Sequence, residues 1–274
     1  MNRVRSTALL ACLLGCQPLI AADGQIDVLV KDSGTVELTV AGSYVLVSTP
    51  PVRADALTAI RIKASDVTLD MNGQTLRGGT AAGVVGITID PGVSRAQIKN
   101  GTVTGFKGGG ILVQGDKHVI SNMQIIDSGQ VGIDVSAEFS TVSDSEVHGC
   151  ATNLRVAGAG NRILRNNLLS TPGGGTSLFL NLAIAVIGTT PNYVEHNVLG
   201  DNGKTSGFSL DGTYAASKGQ AVLYDNVHSR RITAGPPACG ADNAYSWIGI
   251  SGRFADAANP GGPRRGNTCD AMLD

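Results

Sequence analysis

The sequence predicts an all-β fold: a single-stranded right-handed parallel β-helix of about seven rungs, with a cap at each end. Three observations carry that prediction. A hexad of pattern apolar-x-polar-x-x-apolar occupies 98–103, 120–125, 142–147 and 164–169, and its third residues, Asn100, Asn122, Asp144 and Asn166, recur at an interval of 22. An apolar-x-apolar element precedes each hexad. Short runs with apolar residues two apart, bounded by Gly, Asn and Ser, are strands and not helices. The composition agrees, because 37 Gly and only 4% aromatic residues in 274 describe many turns around a thin, repetitive core.

The elements follow in chain order. Residues 1–22 read as an export signal, with Arg3 and Arg5 before an apolar run at 7–14 and small residues at Ala21 and Ala22. That run is too short to span a bilayer, and no other stretch is long and apolar enough to be a transmembrane segment. The run Leu13, Leu14, Gly15, Cys16 offers an alternative, in which Cys16 is lipidated and anchors the chain. The expected location is therefore secreted or periplasmic, or lipid-anchored through Cys16. Export places Cys150, Cys239 and Cys269 in an oxidising compartment. A disulfide between Cys239 and Cys269 is expected, with Cys150 as the odd thiol, although sequence alone does not fix the pairing.

Residues 23–57 are expected to form the N-terminal cap and first strands, broken at Pro50 and Pro51, with a helical turn at 53–58. Residues 58–231 form the β-helix. Its leading strands are centred on 60–62, 87–89, 111–113, 133–135, 154–156, 184–186 and 208–210. Each rung buries its apolar faces only against its neighbours. The polar third position of the hexad falls at a bend, where stacked Asn amides can hydrogen-bond up and down the column. Insertions at 171–182 and 211–220 interrupt the spacing, and such excursions on a rigid scaffold are where binding loops arise. Residues 232–274, rich in Pro and Gly, read as a loop-rich C-terminal cap in which Trp247 covers the last rung.

The alternation Gly-Ile-x-Val followed by Val-x-x-Asn-x-x-Val resembles the pectate-lyase-like right-handed β-helix superfamily. In particular it looks like the bacterial β-helix repeat proteins of carbohydrate-binding and sugar-hydrolase type. The opening runs at 42–46 and 67–73 resemble the first coils of that group, and the likeness covers roughly 42–231. It implies a glycan lying along the first parallel sheet, across its outward residues. It does not imply one activity, because fold does not settle function.

Candidate functional residues follow from the alternation of strand side chains. The central outward positions are Arg61, Thr88, Leu112, Asp134, Arg155, Ala185 and Ser209, and one step along are Asp90, Gln114, Ser136 and Asp211. Asp134 and Arg155 fall on adjacent rungs, about 4.8 Å apart. They form the candidate catalytic pair, an acid–base or uronate-binding couple, with a plain cross-strand ion pair as the alternative. Arg61, Asp90, Gln114, Asp211 and Tyr193 are candidate substrate-binding residues, Tyr193 through a polar aromatic patch with Tyr224 on the next rung. β-Elimination needs a cation against the uronate carboxylate and a base for the carbon-bound proton. Arg155 could supply the charge, and calcium is a possible cofactor, but Asp90 and Asp134 stand two rungs apart and do not converge as ligands; no metal ligands are assigned. Glycoside hydrolysis needs two carboxyls about 5–9.5 Å apart, and no clustered Asp pair is visible.

A net charge of −1, from 21 basic and 22 acidic residues, argues against nucleic acid as a partner. Two functions remain. One is an exported protein that binds or processes an acidic polysaccharide or cell-surface glycan along the first sheet, as a lyase or hydrolase if it is an enzyme. The other is a non-catalytic surface, adhesion or structural module.

Overall fold

The computed structural model describes residues 24–30, 34–48, 57–169, 176–181, 192–200, 208–210, 221–224, 227–230, 252–253 and 268–271. Residues 1–22, 53–56, 184–186, Asp211, Cys239 and Trp247 lie outside the described residues, and with them the export signal, the helical turn and most of the C-terminal cap.

The apolar-x-apolar elements stack in register into an eight-stranded sheet. Its strands are β2 (Val36–Leu38), β4 (Thr58–Ile62), β7 (Val85–Ile89), β9 (Gly109–Asp116), β11 (Val131–Glu138), β14 (Thr152–Ala157), β17 (Thr176–Asn181) and β20 (Phe208–Leu210), in that order. All seven pairings are parallel. Ile60, Ile87, Ile111, Ile133 and Leu154 face inward in one column, 0–1% exposed.

The hexads build a sixteen-stranded sheet that bends into two strips. The first strip holds β1 (Ile26–Leu29), β3 (Gly42–Ser48), β5 (Val67–Asp70), β8 (Gln97–Thr104), β10 (Val119–Ile126), β12 (Thr141–Ser143), β15 (Arg162–Leu164), β18 (Asn192–Glu195) and β21 (Ala221–Tyr224). The second adds β6 (Thr75–Arg77), β13 (Glu146–His148), β16 (Asn167–Leu169), β19 (Val198–Gly200), β22 (Val227–Arg230) and β24 (Thr268–Ala271). Strands β8 and β10 run through both strips. Only β23 (Gly252–Arg253), against β21, is antiparallel among the described strands. Three faces, each pairing with the same face of the next rung, make a parallel β-helix.

Each corner turns on one residue with positive φ. At the first corner these are Asp66, Arg95, Lys117, Phe139 and Gly160, and at the second Asn100, Asn122, Asp144, Arg165 and His196, all between 50° and 69°. Asn and Asp tolerate this left-handed conformation through local hydrogen bonds, which explains the polar third position of the hexad. The recurrent Gly before the leading strands has another cause. A Cβ at Gly110 or Gly132 would lie 2.4 or 2.5 Å from the carbonyl oxygen of Gly132 or Asn153 on the next rung.

The structure corrects two details of the repeat. The interval of 22 does not reach the fourth hexad. Ser143 pairs with Leu164 and Glu146 with Asn167, so Arg165 takes the corner below Asp144 and the rung step is 21. Asn166 moves inside, 2% exposed, and likewise Asn197 is buried while His196 takes the next corner. The sixth leading strand is also displaced. It is β17, with Leu178 and Leu180 opposite Leu154 and Val156, so part of the expected 171–182 loop is a strand of this sheet. Leu178-x-Leu180 offers the same alternation as Ile184-x-Val186, and the pattern alone does not rank them.

Inside the corners, side chains stand in for backbone along the axis. At the first corner Ala96 N donates to His118 Nδ1, His118 N to Ser140 Oγ, Ser140 N to Asn161 Oδ1 and Asn161 N to Asn192 Oδ1. At the second, Met123 N donates to Ser145 Oγ, Ser145 N to Asn166 Oδ1 and Asn166 N to Asn197 Oδ1. These ladders satisfy backbone groups that the bends remove from the sheets. Cys150 is a buried free thiol whose pKa burial pushes up to about 11.

Candidate functional site

The outer face of the eight-stranded sheet places Arg61, Thr88, Leu112, Asp134 and Arg155 side by side on successive strands. Asp90, Gln114 and Ser136 form the neighbouring row, because Ile89, Val113 and Val135 immediately before them are paired.

Asp134 and Arg155 meet as the strand pairing requires. Arg155 Nε donates to Asp134 Oδ1 at 2.9 Å and its Nη2 donates to Oδ2, a two-point bond between planar groups. Ser136 Oγ adds a bond to Asp134 Oδ1 at 3.3 Å. The carboxylate is 11% exposed and the guanidinium side chain 40%. The hydrogen bond to Asp134, foremost, raises the pKa of Arg155 above its ordinary value, so the cation is fixed. Three strands away, Arg61 Nε donates to Asp90 Oδ1 at 2.7 Å, with side-chain exposures of 43% and 16%. Arg61 likewise has a raised pKa, chiefly through its hydrogen bond to Asp90. Both sites repeat one motif, an acidic group low on the sheet and an arginine lying over it.

The remaining sequence candidates divide. Gln114 shares the face, half-buried, and its carbonyl oxygen accepts the ring of the buried His118 at 2.8 Å. Tyr193 does not join them. It sits on β18 in the other sheet, opposite Arg162 and Val222, and Tyr224 aligns with Glu195 on the neighbouring strand. Calcium does not fit Asp134 and Asp90 as they stand. Arg155 engages both oxygens of Asp134 and Arg61 occupies Asp90, whereas calcium takes six to eight oxygens. Among the described residues no group of three or more His, Cys, Asp or Glu is placed to hold a metal ion.

A concave feature elsewhere went unnoticed in the sequence. A cleft of 290 Å³ lies at the second corner, between the row of corner residues and the row two positions on. The third and fifth positions of the hexad are its signal: polar residues two apart straddling a bend.

The family described as "Right handed beta helix region" matches residues 85–232, more than half of the chain. The chain therefore belongs to the right-handed β-helix family. Among solved structures it is similar to the A-module of the mannuronan C-5 epimerase AlgE4 of Azotobacter vinelandii, at 13% identity and a TM-score of 0.28, over 74% of this chain and 90% of that one. No curated protein sequence matches. No helix among the described residues is long and apolar enough to cross a membrane.

Proposed function

We propose that this β-helix is an exported glycan-binding protein that holds an acidic polysaccharide along the outer face of the eight-stranded sheet. One observation carries the reading: Arg61 and Arg155 are each propped by a largely buried carboxylate and leave about two-fifths of the side chain to solvent. A guanidinium held this way loses little freedom on binding and keeps spare N–H donors in a planar fork that matches a uronate carboxylate. Four strand spacings, about 19 Å, separate the two, so a polymer and not a single sugar would reach both. Binding is favoured over bond cleavage because Arg155 engages both oxygens of Asp134, which is a poor arrangement for a general base.

The test is calorimetric titration with polyuronates and neutral glycans, with and without calcium, followed by mass spectrometry of the glycans. Polyuronate binding should weaken about tenfold in Arg155→Ala and in Arg61→Ala, and should fall with salt. Shortened chains would make the protein a depolymerase and overturn the binding-only reading. Indifference to every polyuronate would favour the structural module. That alternative has its own support, since Glu37–Lys63, Asp66–Arg95 and Asp144–Arg165 also join successive rungs as ion pairs.

A further inference from the structure

The cleft at the second corner is built by three rungs. Asn122, Asp144 and Arg165 form one wall, each with φ of 52–53°. Gln124, Glu146 and Asn167 form the other, in register across β10, β13 and β16. Met123 and Ser145, both buried, lie between them. Three strands make the trough about 10 Å long. Its 290 Å³ stands at the small end of ligand sites, which run to about 300–1,000 Å³.

The chemistry of the walls narrows what fits. Asp144 and Arg165 bind each other through two hydrogen bonds of 2.7 Å, which fixes the guanidinium and leaves its other N–H donors. The floor is already satisfied, as Ser145 Oγ accepts from Met123 N at 3.1 Å and donates to Ser143 O at 2.8 Å. Asn167 Oδ1 is different: it is a buried acceptor with no hydrogen-bond partner. Such an atom is unusual and calls for a donor. Two carboxylates against one guanidinium leave the walls net negative, which disfavours an anion. The polar walls disfavour an apolar one.

We propose that this cleft binds one uncharged sugar ring. Ring hydroxyls both donate and accept, so they serve Glu146 and, with a turn of its side chain into the cleft, Asn167 Oδ1 as donors and the Arg165 guanidinium and Gln124 amide as acceptors. This goes beyond the polyuronate reading: it concerns another sheet, other residues and a ligand of different charge, and it stands whether or not that reading holds.

The experiment titrates the full chain with glucose, galactose, mannose and cellobiose, and with glucuronate as the anionic counterpart, by saturation-transfer NMR and calorimetry. At least one neutral sugar should bind saturably, with a Kd on the order of 1 mM, and glucuronate about tenfold more weakly. Asn167→Leu and Glu146→Ala should each weaken the neutral sugar about tenfold, with thermal melts confirming that they fold. Arg155→Ala should leave this binding unchanged while lowering any polyuronate affinity, which separates the two sites. Absence of saturable binding across the neutral panel overturns the proposal. So does binding that both cleft variants leave intact, or a preference for glucuronate.

Discussion

The imidazole of His118 is fully buried, accepts the Ala96 N–H at Nδ1 and so must donate from Nε2 to the Gln114 carbonyl. A second ring proton would point at a donor. Burial pushes the pKa below the usual 6.5, while the Gln114 carbonyl and the carboxylate of Asp116 work the other way with smaller effect. The unfolded chain therefore takes up the proton first as pH falls. The stabilisation by His118 is complete above about 6.5 and is lost as pH drops through the lowered folded value. Urea denaturation of the protein and of His118→Gln, compared from pH 7.5 to 5, should show the gap between them closing with acid; a constant gap would remove His118 from the acid response. The sequence holds four histidines, and its pattern does not single this one out. Phe139 was equally silent. Its φ of 50° at a corner is unfavourable for a bulky side chain, and its ring rests on Gly160 of the next rung, where a Cβ would fall 2.5 Å from Cδ1. Neither role is visible without knowing which residue lies one rung away.

At the scale of the rung, two asparagines that the repeat treats as equals do different work. Asn122 lies at an outer corner and donates to Asn100 Oδ1 at 2.9 Å. Asn166 lies inside, where Oδ1 receives Ser145 N at 3.1 Å and Nδ2 reaches Val142 O at 2.9 Å and Asn197 Oδ1 at 3.0 Å. Asn166→Ala leaves a buried N–H and a buried carbonyl without partners, at about 1–3 kcal/mol each. It should cost about 3 kcal/mol in equilibrium denaturation, against about 1 kcal/mol for Asn122→Ala, which loses an exposed hydrogen bond and places alanine at a φ of 52°. Equal losses would put Asn166 back at the corner. The sequence hid this difference because residues 165–167 contain two adjacent asparagines, so a rung shortened by one residue still shows Asn at the old interval. Alternation of strand side chains was more robust. It assigned the facing of Asp134 and Arg155, and adjacency then followed from the rung length. That Arg61 pairs with Asp90 depended on the reach of the arginine along a neighbouring row, which a pattern of faces does not encode.

Across the whole molecule, the fold was legible because one set of positions is used again on every rung, so many weak signals add. The cleft was not, since it is made by the space between two rows and not by any residue type. The rung spacing of the eight-stranded sheet has one more consequence. Side chains on its outer face are fixed at multiples of about 4.8 Å, and the sheet behaves as a ruler laid beneath its ligand. An oligouronate shorter than the interval from Arg61 to Arg155 can touch only one graduation. Lengthening it sugar by sugar should therefore give a plateau of weak affinity, then a step where the second arginine is reached and the two contacts act in tandem. A polymer whose own repeat falls out of phase with the rungs would show a smaller step at the same length. Affinity that climbs evenly with each added sugar would mean that the face counts area, not position.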